Sequence, residues 1–169
     1  MGAGTLISVE EYLHTAYSPD REYRDGIVLE RNVGNRRHAL LQQRLASYIG
    51  RRRRSWNVEV YTELRIRARA GWYPIPDVCV YQLPMTDGDP PEVMPFLWIE
   101  ILSPEDRMVD VWQKAGELIR CGAAYVWIID PTTLESELRS ASTVTTISDK
   151  TLRLDGGAIE IPLLDVIEE

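Results

Sequence analysis

Two apolar runs, FLWIEIL (96–102) and YVWII (125–129), bracket a segment of helical length. Both are continuous rather than alternating, which is the pattern of a strand covered on both faces. Ser103-Pro104 stops the first run and Asp130-Pro131 the second. The segment between them predicts a helix over 106–120, closed by Gly122. Strand, helix and strand in this order read as a right-handed crossover between parallel neighbours. The chain is thereby confined to sheets that carry a parallel pair and are flanked by helices. One residue breaks the pattern of the first run: Glu100 sits near its middle. An ionised carboxylate buried there without a partner costs several kcal/mol. Either a cation lies beside it or the strand end opens into a site.

The remaining segments fit around that unit. Ser8-Val9-Glu10-Glu11 is a capping box opening a short helix to about Tyr17, ended by Ser18-Pro19-Asp20. EYRDGIVLE (22–30) sets the turn pair Asp25-Gly26 between two β-prone arms, a hairpin signal. Asn35 precedes a helix with Leu40, Leu41, Leu45 and Ile49 on one face, ending near Gly50 or in the arginines beyond. Strands are predicted at 58–61, at 64–69, where Leu64, Ile66 and Ala68 alternate with arginines, and at 73–83, with Pro76 near its start. After Ile129 come short β-type pieces around 135–139, 144–147 and 152–154, and the sequence closes with IPLLDVI. No repeat, low-complexity tract or linker interrupts this order. The expectation is a single α/β domain over 1–169: a mixed central sheet flanked by helices, with a β-rich C-terminal tail.

Composition narrows the function classes. At 169 residues the chain is long enough to bury a core without staples. Nineteen basic residues against 26 acidic ones give a net charge of −7, the wrong sign for a protein held on nucleic acid by overall charge, though local basic patches remain open to it. No apolar stretch approaches the roughly 20 residues that span a bilayer. The start, MGAGTLISVEEYL, acquires acids where a signal peptide has a basic and then a long apolar region. Gly2 fits a myristoylation pattern only loosely, because position six is Leu6. Cys79 and Cys121 cannot make a zinc site by themselves and read as buried free thiols, from which a reducing, cytoplasmic setting is expected.

Asp77 and Glu100 are the residues with the strongest claim to chemistry. Strand periodicity puts Asp77, Cys79 and Tyr81 on one face and Trp98, Glu100 and Leu102 on one face. If the two strands are neighbours, their carboxylates converge, and two acidic oxygens at a sheet end suit a hard divalent cation such as Mg²⁺. Alone, Asp77 reads as a turn residue after Pro76, Glu22 as a solvated strand-start acid, and His38 as a packing or surface residue. Lys114 alone is an exposed helix cation paired with Asp110 at i,i+4. The arginines at 51–54, with Arg36, Arg37 and Arg44 upstream, suit a solvated helix end. Contact with phosphates is the alternative for these and for Arg65, Arg67 and Arg69.

Pro76-Asp77, a spacer and then Glu100 on an apolar strand resemble the PD-(D/E)XK signature of restriction-endonuclease-like nucleases, except that Leu102 stands where the lysine belongs. REYRDGIVLE, His38 opening an apolar helix, IPDVCVY, IEILSPEDR, the helix carrying Asp110 and Lys114, and YVWIIDP together resemble the Uma-type family of that superfamily, long described as a domain of unknown function. The resemblance runs from about Ser8 to Arg139. It implies a restriction-endonuclease-like fold and hydrolysis of phosphodiester bonds with Mg²⁺, or Mn²⁺ in its place. Asp77 and Glu100 match the metal ligands, and Glu22 matches an acid that holds a second metal or orients water. Lys114 matches a lysine relocated from the strand to the next helix, where its long stem reaches back over the strand end. His38 matches a helix histidine that contacts phosphate or supports the site, and Arg36 and Arg37 beside it are expected to bind nucleic acid, DNA in preference to RNA. The chain departs from the pattern at Leu118, where relatives commonly carry tyrosine. No membrane association is expected. A homodimer is, supported by exposed aromatics among Trp56, Trp72 and Tyr73. The alternative is a nuclease fold without turnover, serving as an interaction or assembly module.

Overall fold

The computed structural model describes residues 6–169, so the pattern at Gly2 lies outside the described residues. Helix α1 (Val9–His14) is capped by Ser8, whose hydroxyl accepts from the Glu11 amide at 3.0 Å. Strands β1 (Glu22–Arg24) and β2 (Ile27–Leu29) form the expected hairpin, with Asp25 at φ 48° and Gly26 at φ 94° in the turn. Helix α2 (Arg36–Trp56) begins where the Asn35 side chain accepts from the Arg37 and His38 amides, and it ends on Asn57 in the left-handed region. It runs through the arginines, and Leu41, Leu45, Tyr48 and Ile49 form its buried stripe.

Strand β3 (Val58–Thr62) follows, but the strand predicted at 64–69 does not form. That segment makes a single bridge, Arg69 to Trp72, and sends its amides elsewhere: Ile66 to Pro74 O and Arg67 to Pro91 O. The strand predicted at 73–83 is two strands, β4 (Trp72–Tyr73) and β5 (Val78–Gln82). Pro74 and Pro76 lie between them and have no amide for a ladder, so the chain leaves one sheet and joins another. Strand β6 (Leu97–Ile101), helix α3 (Met108–Arg120) and β7 (Tyr125–Ile129) make the crossover, with β6 and β7 parallel from Leu97↔Tyr125 to Ile101↔Ile129. The tail adds β8 (Ser136–Arg139), β9 (Val144–Ile147), β10 (Thr151–Leu154), β11 (Ile159–Pro162) and a short helix α4 (Leu163–Glu168) within IPLLDVI.

The large sheet has six strands in the order β3-β5-β6-β7-β8-β9, and β6–β7 is its parallel pair. Smaller sheets join β2-β1-β4 and β10-β11. Alternation along the central strands feeds two cores. Val78, Val80, Ile99, Ile101, Trp127 and Ile129 pack with α2 and the tail, while Cys79, Trp98, Val126 and Ile128 pack with Ala115 and Leu118 of α3. Each fully buried aliphatic side chain contributes about 1.5–3 kcal/mol. Trp72 and Tyr73 are only 2% and 4% exposed and Trp56 is partly buried against the core, which corrects the expectation that these aromatics present a dimer surface. Cys79 is buried and Cys121 partly so, both as free thiols. Among the described residues no helix is long and apolar enough to cross a membrane.

Candidate active site

Glu100 lies on the α3 side of β6 with Trp98, whose indole N–H donates to Glu100 Oε2 at 2.9 Å. From α3, Lys114 reaches back over the strand end and donates from Nζ to Glu100 Oε1 at 2.6 Å and to Glu22 Oε1 at 3.0 Å. One ammonium thus joins β1 of the small sheet to β6 of the large one. Glu22 Oε1 also accepts from the Ile75 amide at 3.0 Å. Lys114 is the cation that the acid in the apolar run requires. Its expected partner Asp110 instead lies beside Arg107, at 3.8 Å.

Asp77 immediately precedes β5, whose pairing of Val78 with Ile99 sets Asp77 beside the Glu100 end of β6. Asp77 Oδ2 accepts from the Ile101 amide at 2.8 Å and faces His38 Nε2 at 3.3 Å. Asp77 Oδ1 faces Arg31 at 3.3 Å, and the same guanidinium lies 3.6 Å from Glu63. The Asn35 cap fixes the first turn of α2 and so aims His38 inward, and Gln42 one turn on donates to the Asp77 carbonyl at 3.1 Å. Glu22, His38, Asp77, Glu100 and Lys114 all line one cleft of about 200 Å³, together with Arg31, Asn32, Asp106 and Asp110.

The electrostatics are those of a self-neutralised cluster. Burial raises the Glu100 pKa, the Lys114 ammonium opposes that rise, and the Asp77 and Glu22 carboxylates add to it. Burial disfavours the charge on Lys114, but Glu100 and Glu22 together overcome this and hold its pKa above the usual lysine value. His38 shows the same balance: burial lowers its pKa, and the bond to Asp77 prevails and raises it.

The other predicted contacts fall outside the cleft. Arg36 and Arg37 are exposed on the first turn of α2 and form no ion pair among the described residues. Arg65, Arg67 and Arg69 do not line one strand face, because no strand forms there; they pair with Asp20, Glu92 and Asp25. Arg51 and Arg52 pair with Glu169, and Arg53 with Glu59. Leu118 is buried at 1% exposure in the core under α3 and does not line the cleft. Sequence reasoning missed Arg31 and the amides of Ile75 and Ile101. Backbone donors leave no residue signature, and the only cue to Arg31 is its place just after the hairpin.

Among the described residues no three His, Cys, Asp or Glu side chains group as a metal site. The donor chemistry nevertheless suits a hard divalent cation. Asp77 and Glu100 offer carboxylate oxygens, and Mg²⁺ commonly takes only one or two carboxylates from a protein, with water and phosphate completing its shell.

A family model, Uma2, described as "Putative restriction endonuclease", matches residues 9–154. A crystal structure from Anabaena variabilis ATCC 29413, described as "a putative nuclease belonging to DUF820", matches at 20% identity and a TM-score of 0.79, covering 96% of this chain and 98% of that one. At that identity the likeness shows a shared fold. A cryoEM structure of a DrdV–DNA complex matches at 16% identity and a TM-score of 0.43, over 77% of this chain and 11% of that one, too weakly to bear on either fold or function. No curated protein matches the chain significantly.

Proposed function

The chain belongs to the Uma2 family of restriction-endonuclease-like proteins, and from that premise we propose that it is a divalent-metal-dependent nuclease acting on DNA. The observation that carries the reading is the convergence of Glu22, Asp77, Glu100 and Lys114 on one cleft, with Lys114 bonded to two of the three acids. Asp77 and Glu100 would hold Mg²⁺ or Mn²⁺, which when bound polarises the scissile phosphate. Water attacks phosphorus, the P–O bond to the leaving sugar breaks, and a phosphate monoester and a hydroxyl result. Lys114, freed from its carboxylates, neutralises charge building on the phosphate oxygens. Glu22 orients the attacking water beside that ammonium. His38 keeps Asp77 in place from below, and Arg36 and Arg37 hold flanking phosphates.

Nicking of a supercoiled plasmid with and without Mg²⁺ tests the reading. Wild-type protein is expected to nick only with the metal, and Glu100→Gln to remain folded and inactive. Wild-type-like nicking by Glu100→Gln would sink the mechanism. A second reading, a nuclease-fold module without turnover, is favoured by the pairing of all three acids with cations of the protein itself. Failure of the wild-type protein to nick any nucleic acid, or to bind Mg²⁺ with nucleic acid present, would select it.

A further inference from the structure

The two oxygens of Asp77 have different surroundings. Oδ2 is anchored by the Ile101 amide at 2.8 Å and by His38 at 3.3 Å. Oδ1 meets Arg31 alone among the described residues, at 3.3 Å. It is therefore the oxygen open to exchange, and Arg31 holds it. The Arg31 guanidinium also stands between the cleft and an adjoining hollow of about 240 Å³, lining both. It belongs to the segment 30–35 that links β2 to α2. That segment is fastened across the cleft mouth by Asn32, which donates to Asp106 at 2.6 Å, and Val33 at its tip is 80% exposed. A strap held by polar contacts and burying little apolar surface moves at low cost.

We propose that Arg31 couples cation loading to substrate arrival, occupying Asp77 Oδ1 until a phosphodiester draws it away. This rests on the nuclease reading above. A guanidinium fork fits phosphate as well as carboxylate, and a charged phosphodiester entering the cleft offers Arg31 an equivalent partner. Once Arg31 has moved to the phosphate, Oδ1 is available to the cation. Substrate and cation then raise each other's affinity by the same factor, as linkage requires. The free protein holds its acids neutralised by its own cations and takes up metal poorly until nucleic acid is bound.

Calorimetric titration of Mg²⁺ into the full chain, alone and with a short phosphorothioate DNA duplex, tests the coupling. Wild-type protein is expected to bind Mg²⁺ about tenfold more tightly with the duplex than without it. Arg31→Gln should bind Mg²⁺ about tenfold more tightly than wild type in the absence of DNA and gain little on adding it. Arg31→Lys, which keeps the charge, should stay near wild type. Asn32→Ala removes no charge and loosens the strap, so it should shift the free protein in the same direction as Arg31→Gln, and it carries the test if Arg31→Gln fails to fold. Unchanged Mg²⁺ affinity in Arg31→Gln or, failing that variant, in Asn32→Ala, with wild type still binding the metal, overturns the coupling and leaves the nuclease reading intact. Absence of Mg²⁺ binding by every protein, with or without duplex, overturns both.

Discussion

Lys114 has two partners and one charge, and this sets how the site responds to substitution. Its ammonium bridges Glu22 and Glu100, whose side chains are only 12% and 17% exposed. Lys114→Ala breaks both bonds and leaves those carboxylates facing one another without a cation, and removing one partner of a buried ion pair costs about 3–5 kcal/mol. The variant should therefore lose about that much stability in the metal-free state. It should then gain more from Mg²⁺ than wild type does, because the vacated carboxylates favour a cation that binds only the folded protein. Thermal melts of both proteins with and without Mg²⁺ check this, and an equal gain in the two would contradict it. At this scale Glu100 was legible because an acid in an apolar run demands an explanation. Lys114 was legible only through the family resemblance, since its spacing from Asp110 suits an ordinary helix pair. Arg31 was not legible, because nothing in its neighbours in sequence predicts a contact with Asp77, 46 positions away.

Glu22 depends on the hairpin that carries it, and the hairpin depends on a tyrosine cluster. Tyr12 of α1 is fully buried, stacks on Tyr23 of β1 at 4.9 Å and donates its hydroxyl to the Arg21 carbonyl at 2.6 Å. Burial raises its pKa from 10.0 to about 12, against the opposing pull of Arg65. Its folded pKa lies above the unfolded value, so its contribution to stability is complete below pH 10 and is lost as pH rises through about 12. Wild-type protein should lose stability across that window, and Tyr12→Phe should lose less of it, at the expense of one hydrogen bond worth about 1 kcal/mol. Melting curves across alkaline pH, alongside tyrosinate absorbance, measure both. Most elements were legible from period and punctuation: Asn35, Asp25-Gly26 and Ser103-Pro104 mark real boundaries. The departures are at 64–69, where alternation with arginines reads as a strand that does not form, and at 74–77, where the one strand expected over 73–83 divides into β4 and β5. There, prolines without amides and ion pairs to distant acids determined which backbone found a partner.

Over the whole molecule, a net charge of −7 leaves little positive surface, and most arginines are already paired with acids. If Arg31, Arg36, Arg37 and Lys114 are the groups that meet phosphates, log K for DNA binding should fall against log salt with a slope of about −3.6, at roughly 0.9 per phosphate contact. Fluorescence anisotropy across a salt series measures it, and a slope several times steeper would require a basic surface elsewhere. The bond from Lys114 to Glu100 closes over 14 residues, inside one strand–helix unit, whereas its bond to Glu22 closes over 92. The longer closure costs about 1.7 kcal/mol more in chain entropy. On closure entropy alone, a folding chain is expected to build the cleft from its β6–α3 side, with the hairpin acid joining later. Until it does, Lys114 has a single partner, and the half-built cleft already holds the acid and the base nearest in sequence while lacking the one that comes from farthest away.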